Sequence, residues 1–244
     1  AAKMSERQEQ LPHPPARVRR RMEEACRAAG RAPESVQLCA ASKTQTADTV
    51  RAAWGAGIDV FGENRVQELV EKRAAGAYGS TPLHFIGHLQ TNKVRQVVGA
   101  ADLIESVDSE HLLLAVQKEA ARQGIVQPVL LQVNIGAEAS KGGVAPEGLT
   151  ALLTQADGME NILVKGLMCI PPKETDPAAQ RRWFAAMRAL FDQAAARSWT
   201  RTRMEILSMG MSGDFEAAIQ EGATLVRVGT AIFGPRAYPL PAEP

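Results

Sequence analysis

A chain of 244 residues is long enough for one large domain or two small ones, and it is close to the ~250 residues of a (β/α)8 barrel. Hydrophobic residues make up 45% and charged residues 23%, as in an ordinary globular protein, and a net charge of +1 offers no field for nucleic acid or an anionic membrane. No window approaches the ~20 continuous apolar residues of a membrane span. Cys26, Cys39 and Cys169 lack metal-ligand spacing, as do His13, His84, His88 and His111, so no metal site is expected. Cys39 and Cys169 lie in apolar runs, a usage that fits a reducing, cytoplasmic compartment.

Residues 1–15 are polar and proline-bearing, without the apolar core of a signal peptide, and are expected to be a disordered lead-in. From Ala16 to Ala29 apolar residues recur at helical spacing, and the basic cluster Arg17 to Arg21 reads as a solvated helix face. A buried strand is predicted over Val36–Ser42, followed by a helix capped by Thr46 or Asp48 and broken at Gly55 and Gly57. Ile58–Phe61 reads as a second strand closed by Gly62-Glu63-Asn64, with a helix from Arg65 to Ala75. The alternation continues with a strand at Leu83–Ile86 and a helix at Gln90–Val98, then Leu103–Val107 and a helix at Ser109–Arg122. Val129–Asn134 precedes a helix at Pro146–Ala156, and Leu163–Cys169 precedes a long helix at Pro177–Arg197. Glu205–Ser208 and Leu225–Val228 complete eight strand signals separated by helices. Eight such units predict a single (β/α)8 barrel over 16–237 with a proline-rich tail at 238–244. An open doubly wound sheet is the alternative, weakened because no G-x-G-x-x-G follows the first strand.

In a barrel, ligands sit at the carboxyl ends of the strands. That rule collects Lys43, Asn64, His88, Asn134 and Met168 at one mouth, together with the loops after strands seven and eight. A lysine in an apolar pocket loses pKa and becomes a nucleophile able to form a Schiff base; an ordinary surface lysine is the plainer possibility. The loops Ser208-Met209-Gly210-Met211-Ser212-Gly213-Asp214 and Gly229-Thr230-Ala231-Ile232-Phe233-Gly234 are rich in glycine and hydroxyl groups and sit where barrels bind phosphate. Taken singly, Ser212 could be a helix cap and Gly229-Thr230 a turn. Arg227 interrupts an apolar strand, and a buried guanidinium needs an acceptor: a salt bridge to Glu205, or a ligand's ring nitrogen. A Schiff-base lysine, a phosphate cradle and a cation for a ring nitrogen together describe a pyridoxal 5′-phosphate (PLP) site.

The blocks Ala41-Ser42-Lys43-Thr44, Phe61-Gly62-Glu63-Asn64, His84 to Lys93, Gly166-Leu167-Met168, Ser208 to Ser212 and Val226 to Gly234 resemble the pyridoxal phosphate homeostasis protein family, the YggS/PROSC-type PLP-binding proteins. The resemblance implies a barrel similar to the N-terminal domain of alanine racemase, fold type III among PLP proteins. It implies that Lys43 holds PLP as an aldimine, that Arg227 faces the pyridine nitrogen, that Ser212, Gly229 and Thr230 hold the phosphate, that Asn64 and Met168 lie near the ring, and that Ser208 also belongs to the cofactor site. Two positions depart from the family pattern: His88 stands where proline is common, and Gly213 where aspartate is.

An arginine at the ring nitrogen disfavours a protonated pyridine and weakens carbanion chemistry, for which alanine racemase compensates with a tyrosine from a second subunit's domain. Tyr78 and Tyr238 are the two tyrosines here, and neither sits at a strand end. The expectation is therefore a binder without robust turnover and with no catalytic residue. It would act as a monomeric carrier or buffer in intracellular PLP homeostasis, with apo PLP-dependent enzymes as recipients and effects on vitamin B6 and on amino-acid and keto-acid balance. The alternatives are a small PLP-dependent racemase or lyase using Lys43, and a sugar-phosphate barrel with Glu63 or Glu105 as base.

Overall fold

The computed structural model describes residues 13–234. Eight parallel strands form a closed barrel in sequence order: β1 Gln37–Ala41, β2 Val60–Glu63, β3 Leu83–Phe85, β4 Leu103–Val107, β5 Gln127–Val133, β6 Ile162–Cys169, β7 Ile206–Ser208 and β8 Leu225–Val228. Helices α1 Pro14–Ala28, α2 Ala47–Ala52, α3 Val66–Ala74, α4 Val94–Val97, α5 Glu110–Gln123, α6 Leu149–Asp157, α7 Pro177–Ala195, α8 Phe215–Gln220 and α9 Thr230–Phe233 accompany them. No described helix is long and apolar enough to cross a membrane.

The strands are apolar on both faces because both are buried. Leu38, Ala40, Phe61, Phe85, Ile104, Leu131, Leu207, Val226 and Val228 belong to the main core shared with the helices. The alternate residues fill the barrel, with Cys39, Val60 and Leu225 in one cluster and Leu103, Leu130 and Met168 in another, Ile206 packing against both. The β5–β6 register shifts between Val129 and Leu131, near Gly166 of the partner strand. Gly166 has φ +149°, and a Cβ there would stand 1.8 Å from the Ile206 carbonyl oxygen, so only glycine lets β6 and β7 approach this closely.

Several boundaries differ from the sequence reading. Helix α1 begins at Pro14, with proline in its first turn where a missing N–H costs nothing, so the expected lead-in loses its last residues to the helix. Residues 1–12, and the tail at 238–244, lie outside the described residues. The basic cluster is partly a docking face: Arg19 pairs with Asp59 at 3.0 Å, while Arg21 pairs with Glu216 and stacks 4.7 Å from the Phe215 ring. Strand β2 is displaced two residues along the chain from the expected Ile58–Phe61: the Asp59 side chain accepts the Leu38 N–H at 2.7 Å ahead of the strand, and Gly62-Glu63 continue the ladder. The predicted helix at 90–98 contracts to a single 3-10 turn at Thr91–Lys93 and one turn of α4. Thr46 is the cap of α2, its hydroxyl accepting the Thr49 N–H at 3.2 Å.

Candidate functional site

Strand pairing decides which predicted residues meet. Cys39 pairs with Arg227 and Ala40 with Val228, so the ends of β1 and β8 lie side by side and Lys43 emerges next to Gly229-Thr230. The contact is close: a Cβ on Gly229 would stand 3.2 Å from the Ala41 carbonyl oxygen. On the other flank Ala41 pairs with Gly62 and Ser42 N–H donates to the Gly62 carbonyl at 3.0 Å, which brings Asn64 to the same edge. The Asn64 backbone packs so tightly on Gly87 that a Cβ at Gly87 would be 2.0 Å from the Asn64 carbonyl oxygen. Lys43 itself is half-buried.

Ser212 does not cap its own helix. Asp214 precedes α8, its carboxylate accepting the Met211 N–H at 2.7 Å, with burial pushing that carboxyl up from its ordinary value. The Ser212 hydroxyl instead accepts the N–H groups of Gly229 and Ala231 at 3.3 and 3.4 Å, tying the loop after β7 to the turn after β8. These long bonds gather a serine hydroxyl and two backbone donors beside Lys43, a donor set suited to an anion.

Inside the barrel, Arg227 is 4% exposed and donates to the Ser208 hydroxyl at 2.6 Å and to the Cys169 carbonyl at 2.9 Å. Glu205, one of its two candidate acceptors, is exposed and lies 4.0 Å from Lys165, because β7 begins only at Ile206 and Glu205 precedes the barrel wall. The acceptor that the buried guanidinium requires comes through Ser208, which donates to Glu105 Oε1 at 2.5 Å, while Glu105 Oε2 lies 2.7 Å from His84 Nδ1. Glu105 is fully buried. Burial is the largest single influence on its carboxyl and pushes it up, but the His84 hydrogen bond and charge, Arg227 and Ser208 together bring it below the ordinary value. An ionised carboxylate only accepts, so His84 carries its proton on Nδ1. Burial pushes the Cys39 thiol well up and Cys169 to about 12, which leaves both inert inside this wall.

Met168 pairs with Ser208 but packs fully buried among Leu103 and Leu130, one layer inside the barrel. His88 is exposed, and nothing lies near a Cβ placed on Gly213, so the two departures from the family pattern fall at tolerant positions. Asn134 turns onto its own loop, its amide donating to the Glu138 carbonyl at 2.8 Å.

A second polar network, behind Lys43, was missed by sequence reasoning. Glu63 points outward from β2 and accepts from the Ser42 hydroxyl at 2.7 Å, the Tyr78 hydroxyl at 2.6 Å and Lys72 at 3.1 Å. Lys72 also donates to the Ser42 carbonyl at 2.8 Å and lies 3.1 Å from Glu68, whose Oε1 accepts the Thr44 N–H at 2.8 Å. The spacing of Glu68 and Lys72 on α3 was the available signal: two charges at i and i+4 on the face that also carries Leu69. Both candidates for the general base of a sugar-phosphate barrel, Glu63 and Glu105, are thus committed to protein partners.

The donor set fits PLP. It combines an amine, a hydroxyl-and-amide cluster and a guanidinium held inside the barrel, and beside it a buried Asn64 Oδ1, an acceptor, has no protein partner. Lys43 would hold the aldehyde, Ser212, Gly229 and Thr230 the phosphate, and Arg227 and Asn64 the ring.

The profile of the family described as alanine racemase, N-terminal domain, matches residues 16–237. The chain is 44% identical over 222 residues to the pyridoxal phosphate homeostasis protein of Aquifex aeolicus, covering 91% of this chain and 96% of that one. It is 39% identical over 233 residues to the Escherichia coli protein of the same name, covering 93% and 97%. Among solved structures, PipY of Synechococcus elongatus with PLP bound shares 36% identity with a TM-score of 0.76, covering 88% of this chain and 100% of that one. Alanine racemase of Clostridium difficile shares the fold at 15% identity and a TM-score of 0.69, covering 88% of this chain and 55% of that one. The chain belongs to the pyridoxal phosphate homeostasis protein family, built on the alanine racemase N-terminal barrel.

Proposed function

We propose that this chain binds PLP at the barrel mouth through Lys43 and serves as a carrier or buffer in PLP homeostasis, maintaining vitamin B6 and amino-acid and keto-acid balance. The observation that carries the reading is the convergence of Lys43 at the end of β1 with the Ser212–Gly229–Ala231 donor cluster on the adjoining edge. When bound, PLP supplies an aldehyde reactive toward primary amines. Lys43 offers the amine; Ser212, Gly229 and Thr230 orient the phosphate; Arg227, fixed by Ser208 and the Cys169 carbonyl, keeps a permanent positive charge on the ring side.

The same geometry favours holding over turnover. Racemisation needs a proton donor on the second face of a substrate, and Tyr78 is buried with its hydroxyl on Glu63, outside the barrel wall. The three cysteines are free and buried, in keeping with a reducing compartment, and we place the protein in the cytoplasm as a monomer whose recipients are apo PLP-dependent enzymes. The test is an absorption spectrum of protein incubated with PLP, before and after borohydride, with peptide mapping. A visible band that converts to a stable adduct on Lys43, and is lost in Lys43→Ala, is the expected result. A colourless protein overturns the binding, and turnover of an amino acid that disappears in Lys43→Ala overturns the carrier role.

A further inference from the structure

Two hydrogen bonds from α3 bracket the lysine. On its amino side Lys72 donates to the Ser42 carbonyl at 2.8 Å, and on its carboxyl side Glu68 accepts the Thr44 N–H at 2.8 Å. Thr44 is fully buried and has φ 64°, a left-handed conformation in which a β-branched residue is a genuine outlier. Such a conformation persists only where its surroundings enforce it, and such sites concentrate where function needs a fixed geometry. Here the enforcement is visible, because turning the Thr44 peptide out of this conformation would pull its N–H away from a buried carboxylate. Lys72, 3.1 Å from both Glu63 and Glu68, balances the two carboxylates and holds Glu68 in place.

We propose that Glu68 is a positioning residue for Lys43: by accepting the Thr44 N–H it holds the left-handed turn on which the lysine is mounted, and thereby sets how tightly PLP is retained. The inference rests on the PLP reading above. It assigns to α3, which contributes no group to the mouth, control over the reactive amine.

The experiment compares the visible band and the borohydride-trapped fraction on Lys43 across a PLP titration for the unaltered protein, Glu68→Ala, Glu68→Gln and Glu68→Ala with Thr44→Gly, each checked for folding by circular dichroism. Glu68→Ala is expected to bind about tenfold more weakly, since the cost of the left-handed residue is no longer opposed. Glu68→Gln keeps a carbonyl acceptor and is expected to stay within about twofold of the unaltered protein. Adding Thr44→Gly to Glu68→Ala is expected to restore most of the affinity, because glycine adopts a positive φ unaided. A Glu68→Ala protein that binds normally overturns the proposal, as does a double variant no better than Glu68→Ala, which would make Glu68 merely a prop for Lys72. Absence of a band in the unaltered protein instead overturns the underlying PLP reading. Amide hydrogen exchange supplies a test without substitution: slow exchange at Thr44 supports the proposal, and exchange at the rate of an open loop overturns it.

Discussion

Two glutamates, both fully buried and forty-odd residues apart, show how environment divides labour in this barrel. Glu105 faces inward and touches His84 and Ser208, with Arg227 one hydroxyl away; its carboxyl is held below the ordinary 4.5. Glu63 faces outward to Lys72, Tyr78 and Ser42, yet burial outweighs those partners and its carboxyl is raised above 4.5. The inner carboxylate is therefore a stabilised anion that neutralises, through Ser208, the buried arginine inside the barrel. The outer one is a carboxylate at a desolvation disadvantage, tolerated because it joins β1, β2 and α3 around the lysine. The same residue type balances a buried cation on one side of the wall and joins strands to a helix on the other.

Breaking the inner network has the largest expected effect. Glu105→Gln strands a buried guanidinium and is expected to cost about 3–5 kcal/mol, measured by urea denaturation. Breaking the outer one is milder: Glu63→Gln leaves Lys72 paired with Glu68 at 3.1 Å and is expected to cost about 1–2 kcal/mol. The two variants also separate by pH. A depressed carboxyl contributes stability above its ordinary value and loses it as pH falls through the folded value, so Glu105→Gln should flatten the acid limb of the stability profile below pH 4.5. A raised carboxyl contributes stability below the ordinary value and loses it as pH rises through the folded value, so Glu63→Gln should flatten a decline above pH 4.5. Identical profiles for both variants would remove the distinction. The smallest effect is expected from Tyr78→Phe, which keeps the ring 5.9 Å from Phe61 but deletes one donor to Glu63, at about 1 kcal/mol by thermal unfolding.

The inner face was readable in the chain itself. An arginine between two valines announces a buried cation, and a lysine closing an apolar run marks a strand end, so the barrel and its mouth follow from periodicity and position. The outer network was not readable, for a physical reason. Gly62-Glu63 looks like the end of a strand because a charge after glycine ordinarily meets water, and only the closure of α3 over β2 converts Glu63 into a core residue. Thr44 left no trace either, since β-branched residues argue against the very conformation it adopts. Glu205, one of the two acceptors considered for Arg227, sits on the neighbouring strand in the sequence reading, but β7 begins only at Ile206, and Ser208 is the residue that meets the guanidinium.

The closure of the sheet has a consequence for how the protein comes into being. Strand β1, which carries the lysine at its end, pairs with β8, and α1 seals that seam against α8 and α9. During synthesis at 5–20 residues per second, about 10–40 s separate the appearance of β1 from that of β8. Throughout that interval β1 presents an unpaired edge, and the turn after β8 that would complete an anion site does not yet exist. If Lys43 and that turn hold PLP as proposed, competence to bind requires β8, and a ribosome stalled before Leu225 would leave the lysine in place with nowhere to seat a phosphate.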